Sequence, residues 1–124
     1  EGVYYAHFLI LGGYGDTREN VRETIENSRR MEYTVMFPYA GMRIYPHTRL
    51  AELAAKEGVV GRDDDLLGPT YYLSPDFDLE QVRPAALATG KAWVFPDDPQ
   101  SALADTLRLK RNKKGPLWEY LRKP

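Results

Sequence analysis

The sequence contains no cysteine. That removes disulfides, zinc–thiolate centres and cysteine-ligated iron–sulfur clusters from what this chain can support by itself. Histidine is scarce: His7 and His47 stand alone, with no ligand at metal-site spacing, so no metal centre is expected. No apolar run approaches the ~18 residues of a membrane span, and no signal-peptide pattern opens the chain. Net charge is nearly absent as well: 17 basic and 18 acidic residues leave −1, which argues against a dedicated nucleic-acid binder. The lack of disulfides fits a reducing compartment, and a cytoplasmic setting is expected. There is no initiating methionine. Glu1 is followed at Val3 by strand-like sequence, so the segment is expected to begin inside a longer protein.

What is present suffices for one globular unit: 124 residues, 43% of them hydrophobic. Charge is unevenly placed. Residues 108–124 hold seven basic groups and one acid, net +6, whereas the preceding 107 residues hold ten basic and seventeen acidic groups, net −7. The basic tail can lie on the acidic body or contact an anionic partner.

Hydrophobic patterning organises the chain into strand–helix units. Val3–Leu11 is an almost unbroken apolar and aromatic run, the pattern of a strand buried on both faces of a parallel sheet. Gly12-Gly13-Tyr14-Gly15 ends it, and Asp16 with Glu19 has capping-box spacing, predicting a helix through Val21, Ile25 and Ser28 to about Met31. A second strand is predicted at Tyr33–Phe37, broken by Pro38. A long loop from Pro38 to Pro46 leads to a helix with Leu50, Leu53 and Ala54 as its apolar stripe and Gly58 as its stop. Repeated βα units predict a parallel sheet with right-handed crossovers.

Beyond Gly58 come an acidic loop (Val59–Gly68), an extended stretch (Thr70–Leu73) and a helix from Asp78 to Gly90. That last helix is capped by Asp78 and Gln81, and Pro84 should kink or divide it. A short strand follows at Ala92–Phe95. Asp98 and Pro99 open a final helix to about Lys110, Gly115-Pro116 breaks it, and Leu117–Arg122 forms a last turn. Asp63, Asp64 and Asp65 lack the spacing and glycine of a calcium loop and are expected to be solvated.

The glycine turn is the most informative feature. Glycines between a strand and a helix N-terminus let a ligand approach the backbone, and free N–H groups with the helix dipole attract negative charge. No Gly-Lys-Ser/Thr follows, so it is not a Walker loop. Arg18 stands where a dinucleotide fingerprint needs its third glycine. A plain tight turn explains the same residues, and both readings stand at this point.

The run Phe8-Leu-Ile-Leu-Gly-Gly-Tyr-Gly-Asp-Thr17, with Glu19 and Val21, resembles the late-barrel strand and turn of radical-SAM enzymes, whose pattern is an apolar strand, Gly-x-Pro-Gly-Glu-Thr and an amphipathic helix. The next unit, from Val35 through Pro38-Tyr-Ala-Gly-Met-Arg-Ile-Tyr-Pro46 to Leu50, is similar to the strand that follows there. Gly41–Pro46 and Pro69–Pro75 look like members that carry an N-terminal cobalamin-binding domain, some of them assigned to lipid biosynthesis. Tyr14 and Ala40 replace prolines of the pattern, and Asp16 replaces a glutamate while keeping the carboxylate.

The resemblance implies a partial (β/α) barrel-like set of βα units with a parallel sheet over residues 1–58, then a mostly helical C-terminal extension over 59–124. A closed barrel takes eight strands and about 250 residues, so the rest would lie in an N-terminal remainder of the same protein. It also implies a parent that binds a [4Fe–4S] cluster, SAM and, in members of that kind, cobalamin. The cluster cysteines belong to an early strand and are absent here, so the segment alone is expected to bind no cofactor and to have no catalytic residue. Gly12, Gly13 and Tyr14 would lie near the SAM adenosine or methionine, and Phe37, Pro38 and Tyr39 near the adenine. Arg43 and His47 are candidate substrate contacts; Arg43 suits a carboxylate or phosphate, or else a structural ion pair. The uncovered edge of the first strand predicts a partner or self-association. The rival expectation is an autonomous α/β binding or dimerisation module whose basic tail meets an anionic partner.

Overall fold

The computed structural model describes residue 3 and residues 5–96. The helix predicted from Asp98, the break at Gly115-Pro116, the last turn and the basic tail lie outside the described residues. Strand β1 (Tyr5–Leu11) leads into helix α1 (Arg18–Asn27), which ends in a 3₁₀ turn at Ser28–Arg30; strand β2 is Thr34–Ala40. Strand β3 (Met42–Arg43), helix α2 (Arg49–Lys56), strand β4 (Tyr71–Tyr72), helix α3 (Leu79–Leu87) and strand β5 (Ala92–Trp93) follow.

The main sheet is parallel with order β1-β2-β5, and β3 pairs antiparallel with β4 in a separate two-stranded sheet. The strands of the main sheet therefore step in one direction in chain order. In the β1–β2 register His7 faces Met36, Phe8 faces Phe37 and Ile10 faces Tyr39, and Met36 pairs with Trp93. One face thus carries Leu9, Leu11, Met36, Trp93 and Phe95. It is covered by Val21 and Ile25 of α1 and Val82 and Ala86 of α3 in one apolar core. Both helices lie on the same side, as right-handed crossovers in one direction require. The second core joins Ile44, Ala54, Val60, Leu66 and Tyr72 beneath α2. Burying a side chain such as Met36 or Ile44 completely, as here, contributes roughly 1.5–3 kcal/mol.

Four expectations change. The first strand is not buried on both faces: Phe8 is 68% and Ile10 56% exposed, because both helices sit on the other side. Helix α1 is capped by Thr17 rather than Asp16. The Thr17 hydroxyl accepts from the Asn20 N–H, and the Asn20 side chain accepts from the Thr17 N–H. Asp16 is engaged upstream instead. Strand β2 runs through Pro38 to Ala40. The Met36 carbonyl accepts from the Val94 N–H, so the missing N–H of Pro38, two residues on, falls on the β5 side beyond the paired stretch, where no ladder bond is lost. The stretch from Pro38 to Pro46 is not all loop, since β2 continues into it and Met42–Arg43 pairs with Tyr71–Tyr72.

Other signals hold. Gly58, at φ +76°, ends α2 with its N–H donated to the Ala55 carbonyl and that of Val59 to the Ala54 carbonyl, a Schellman closure. Asp78 caps α3 as expected, accepting from the Glu80 N–H and from the Gln81 side chain, but Pro84 does not divide the helix, which is one element ending at Leu87 rather than at Gly90.

Candidate functional site

The carboxyl-terminal ends of β1 and β2 bring the glycine turn, β3 and the segment after β4 together. Asp16 folds back over the turn, and one carboxylate oxygen accepts from the Gly12 N–H at 2.8 Å and the Gly13 N–H at 3.1 Å. The Gly13 carbonyl accepts from the Asp16 N–H, and the Gly12 carbonyl accepts from the Ser74 N–H. The Ser74 hydroxyl in turn donates to the Asp16 carbonyl at 2.7 Å. Both glycine N–H groups are therefore committed inside the protein, contrary to the expectation that they are free for an anion. Among the described residues the amides of Tyr14 and Gly15 take no hydrogen bond.

Gly12 is required for a second reason. It has φ +75°, and a Cβ there would stand 2.6 Å from the Phe77 ring carbon Cγ. The close approach that demands glycine is made by the protein's own aromatic ring. Tyr14 projects from the turn, half exposed, and tilts against Tyr72 with centroids 5.4 Å apart. The Tyr72 hydroxyl donates to Glu57 at 2.9 Å. That bond, aided by burial and the carboxylate's charge, raises the phenol's pKa above the usual tyrosine value.

The face of the main sheet opposite α1 and α3 carries an aromatic strip. Phe8 stacks on Phe37 at 5.3 Å and on Tyr39 at 6.3 Å, with Tyr39 40% exposed. Pro38 alternates to the helix face and is buried, so it does not join Phe37 and Tyr39. Arg43 lies in β3, its guanidinium 4.8 Å from the centre of the Tyr45 ring. His47 sits apart, at φ +61°, lining a cavity of about 400 Å³ with Thr48, Arg62 and Asp64 at the start of α2. The predicted residues thus separate into the glycine turn with Tyr14 against Tyr72, the strip of Phe37 and Tyr39 with Phe8, Arg43 beside Tyr45 in β3, and His47 by the acidic loop.

Sequence reasoning read Asp16 as the helix cap rather than the partner of the glycine amides, and missed Phe8, Ser74 and Phe77. The alternation in β1 could have placed Phe8 opposite the helices. Ser74 and Phe77 reach the turn from about sixty residues away, which no local pattern encodes. Among the described residues no group of three or more His, Asp or Glu could hold a metal ion, and no helix is long and apolar enough to cross a membrane. Comparison with protein-family models, with curated proteins and with solved structures finds no match to the chain.

Proposed function

We propose that this chain is the C-terminal set of βα units of a radical-SAM enzyme of the oxidoreductase or transferase type, supplying part of the SAM cradle and inert alone. The observation that carries the reading is the one-directional parallel sheet with α1 and α3 on one side and, on the other, an aromatic strip exposed at Phe8, Ile10 and Tyr39. In an eight-stranded barrel the helices lie outside and the other face turns inward, and further strands pair alongside β1. The two consecutive turn motifs, around Gly12–Thr17 and Pro38–Pro46, add the family to the geometry.

The residues fit a SAM molecule in part. Phe37 and Tyr39, with Phe8 beside them, offer stacking surface for a planar purine. Gly12 and Gly13 offer shape only, because Asp16 holds their N–H groups. When bound in the parent, the cluster and SAM supply one-electron chemistry, and a cobalamin domain would add to it; the residues here orient and shield. The coding sequence upstream of Glu1 tests the reading. It should encode a Cys-x-x-x-Cys-x-x-Cys motif, and a reading frame that starts near Glu1 would contradict it. The 124-residue chain itself should yield no 5′-deoxyadenosine after cluster reconstitution.

The exposed strip and the outer edge of β1, which no strand among the described residues pairs, also favour a second reading, a dimerisation module. A clean monomer in sedimentation would remove it.

A further inference from the structure

We infer that Arg43, flanked by Tyr45 and Tyr71, reads an oxyanion, a carboxylate or phosphate, carried by a small-molecule ligand at the strand ends. Arg43 stands directly opposite Tyr71 in the β3–β4 pair, so the two side chains share a face, and Tyr45 supplies the ring beneath the guanidinium. All three are exposed. Of the exposed arginines among the described residues, Arg22, Arg29 and Arg49 each pair with a glutamate three residues away, and Arg18, Arg30 and Arg62 have no ion pair. Among these exposed arginines, Arg43 is the one that rests on an aromatic ring. Among the described residues no carboxylate lies within ion-pair distance of Arg43. The structural ion pair that would have explained this residue is thus missing.

A guanidinium resting on an aromatic ring is held in orientation while its fork of N–H donors stays open, an arrangement suited to two-pronged binding of an oxyanion. The patch is built in advance. Gly41 has φ +79°, a Cβ there would stand 2.7 Å from the Tyr72 carbonyl, and the Ile44 N–H donates to the Thr70 carbonyl. These contacts fix β3 against β4. The carboxylate of Glu57 is occupied by the Tyr72 hydroxyl, on the opposite face of the pair. Tyr39 lies four residues before Arg43, within about 14 Å along the chain. An anionic group on Arg43 therefore leaves the remainder of the ligand within reach of the aromatic strip. As substrate recognition, this inference rests on the radical-SAM reading; as anion binding by the chain, it does not.

The test is an NMR titration of the isotope-labelled 124-residue chain with phenyl phosphate, with benzoate and with benzyl alcohol as the neutral counterpart. The Arg43 side-chain Nε–H signal should move saturably with at least one of the two anions and stay still with benzyl alcohol, and the two anions show which oxyanion geometry is preferred. Arg43→Gln should weaken anion binding about tenfold or more, and Arg43→Lys should also weaken it, because an ammonium cannot fork. Arg43 is exposed, so both variants should keep the parent circular dichroism spectrum. An unmoved Arg43 signal, an equal response to benzyl alcohol, or undiminished binding by Arg43→Gln would overturn the inference. The coding-sequence test is separate: absence of the cysteine motif would remove the enzyme and leave an anion-binding patch that this titration still measures.

Discussion

Replacing Asp16 should destabilise the chain more than replacing any ordinary half-exposed loop acid. One carboxylate oxygen accepts from the N–H groups of Gly12 and Gly13, and both glycines are buried. A hydrogen bond to a charged group contributes about 1.5–3 kcal/mol, and a buried N–H left without a partner costs about 1–3 kcal/mol. Both bonds share one oxygen and Asp16 is only half-buried, so the two contributions do not simply add. Asp16→Ala should then cost about 2–4 kcal/mol in urea unfolding followed by far-ultraviolet circular dichroism. Asp16→Asn keeps an acceptor oxygen and loses only the charge, so it should cost about 1 kcal/mol. The neighbouring glycines provide a control. Gly12→Ala and Gly15→Ala both place alanine at positive φ, but only Gly12 meets Phe77, since nothing lies within 4 Å of a Cβ at Gly15. Gly12→Ala should therefore be worse by the overpacking alone, about 1–3 kcal/mol. An Asp16→Ala cost under about 0.5 kcal/mol would show that the turn does not depend on this contact. Equal effects of Asp16→Ala and Asp16→Asn, or of the two alanines, would refute the reasoning behind the contrasts.

Other outcomes follow from the same geometry. The buried Thr34 hydroxyl has no hydrogen-bond partner, so Thr34→Val should leave stability unchanged or raise it by about 1 kcal/mol in the same assay. A clear loss would reveal a partner for that hydroxyl. The raised pKa of Tyr72 means that the folded state holds its proton more tightly than the unfolded chain does. Its contribution is complete below the ordinary tyrosine pKa and is lost as pH rises through the higher folded value. Absorbance at the tyrosinate band should show one phenol ionising after the ordinary ones, and Tyr72→Phe should abolish that late step. Ile10→Ser should change unfolding free energy by less than about 0.5 kcal/mol, and Phe8→Ser should cost about 0.5–1.5 kcal/mol through loss of its stacking on Phe37 and Tyr39. The two together should reduce self-association in sedimentation velocity, because both side chains are largely exposed. Large losses of stability would mean that the strip is covered within the chain.

The parts of the fold that were legible in the sequence are those whose causes are local. The apolar run of β1, the amphipathic α1 and α2, and the Gly58 stop each depend on residues within a few positions of one another. Pro38 was misread because a proline's cost depends on what lies beside it, and β5 pairs only with Val35 and Met36. Asp16–Glu19 and Thr17–Asn20 both have capping spacing; the choice between them was made by the glycine amides that claim Asp16. At the candidate site, Gly12, Gly13 and Tyr14 follow the end of β1 as the sequence predicts, whereas β2 runs on to Ala40, so Phe37 and Pro38 lie inside the strand and Pro38 turns to the other face. The reason Gly12 must be glycine lies in Phe77, and the absence of an ion pair at Arg43 is a fact of tertiary structure that spacing cannot carry.

The central claim is that this one-sided arc of strands belongs to a radical-SAM barrel. Reading the coding sequence upstream of Glu1 tests it most directly. The account predicts an in-frame extension encoding the remaining βα units and Cys-x-x-x-Cys-x-x-Cys on an early strand; an extension lacking those cysteines, or none at all, would contradict it.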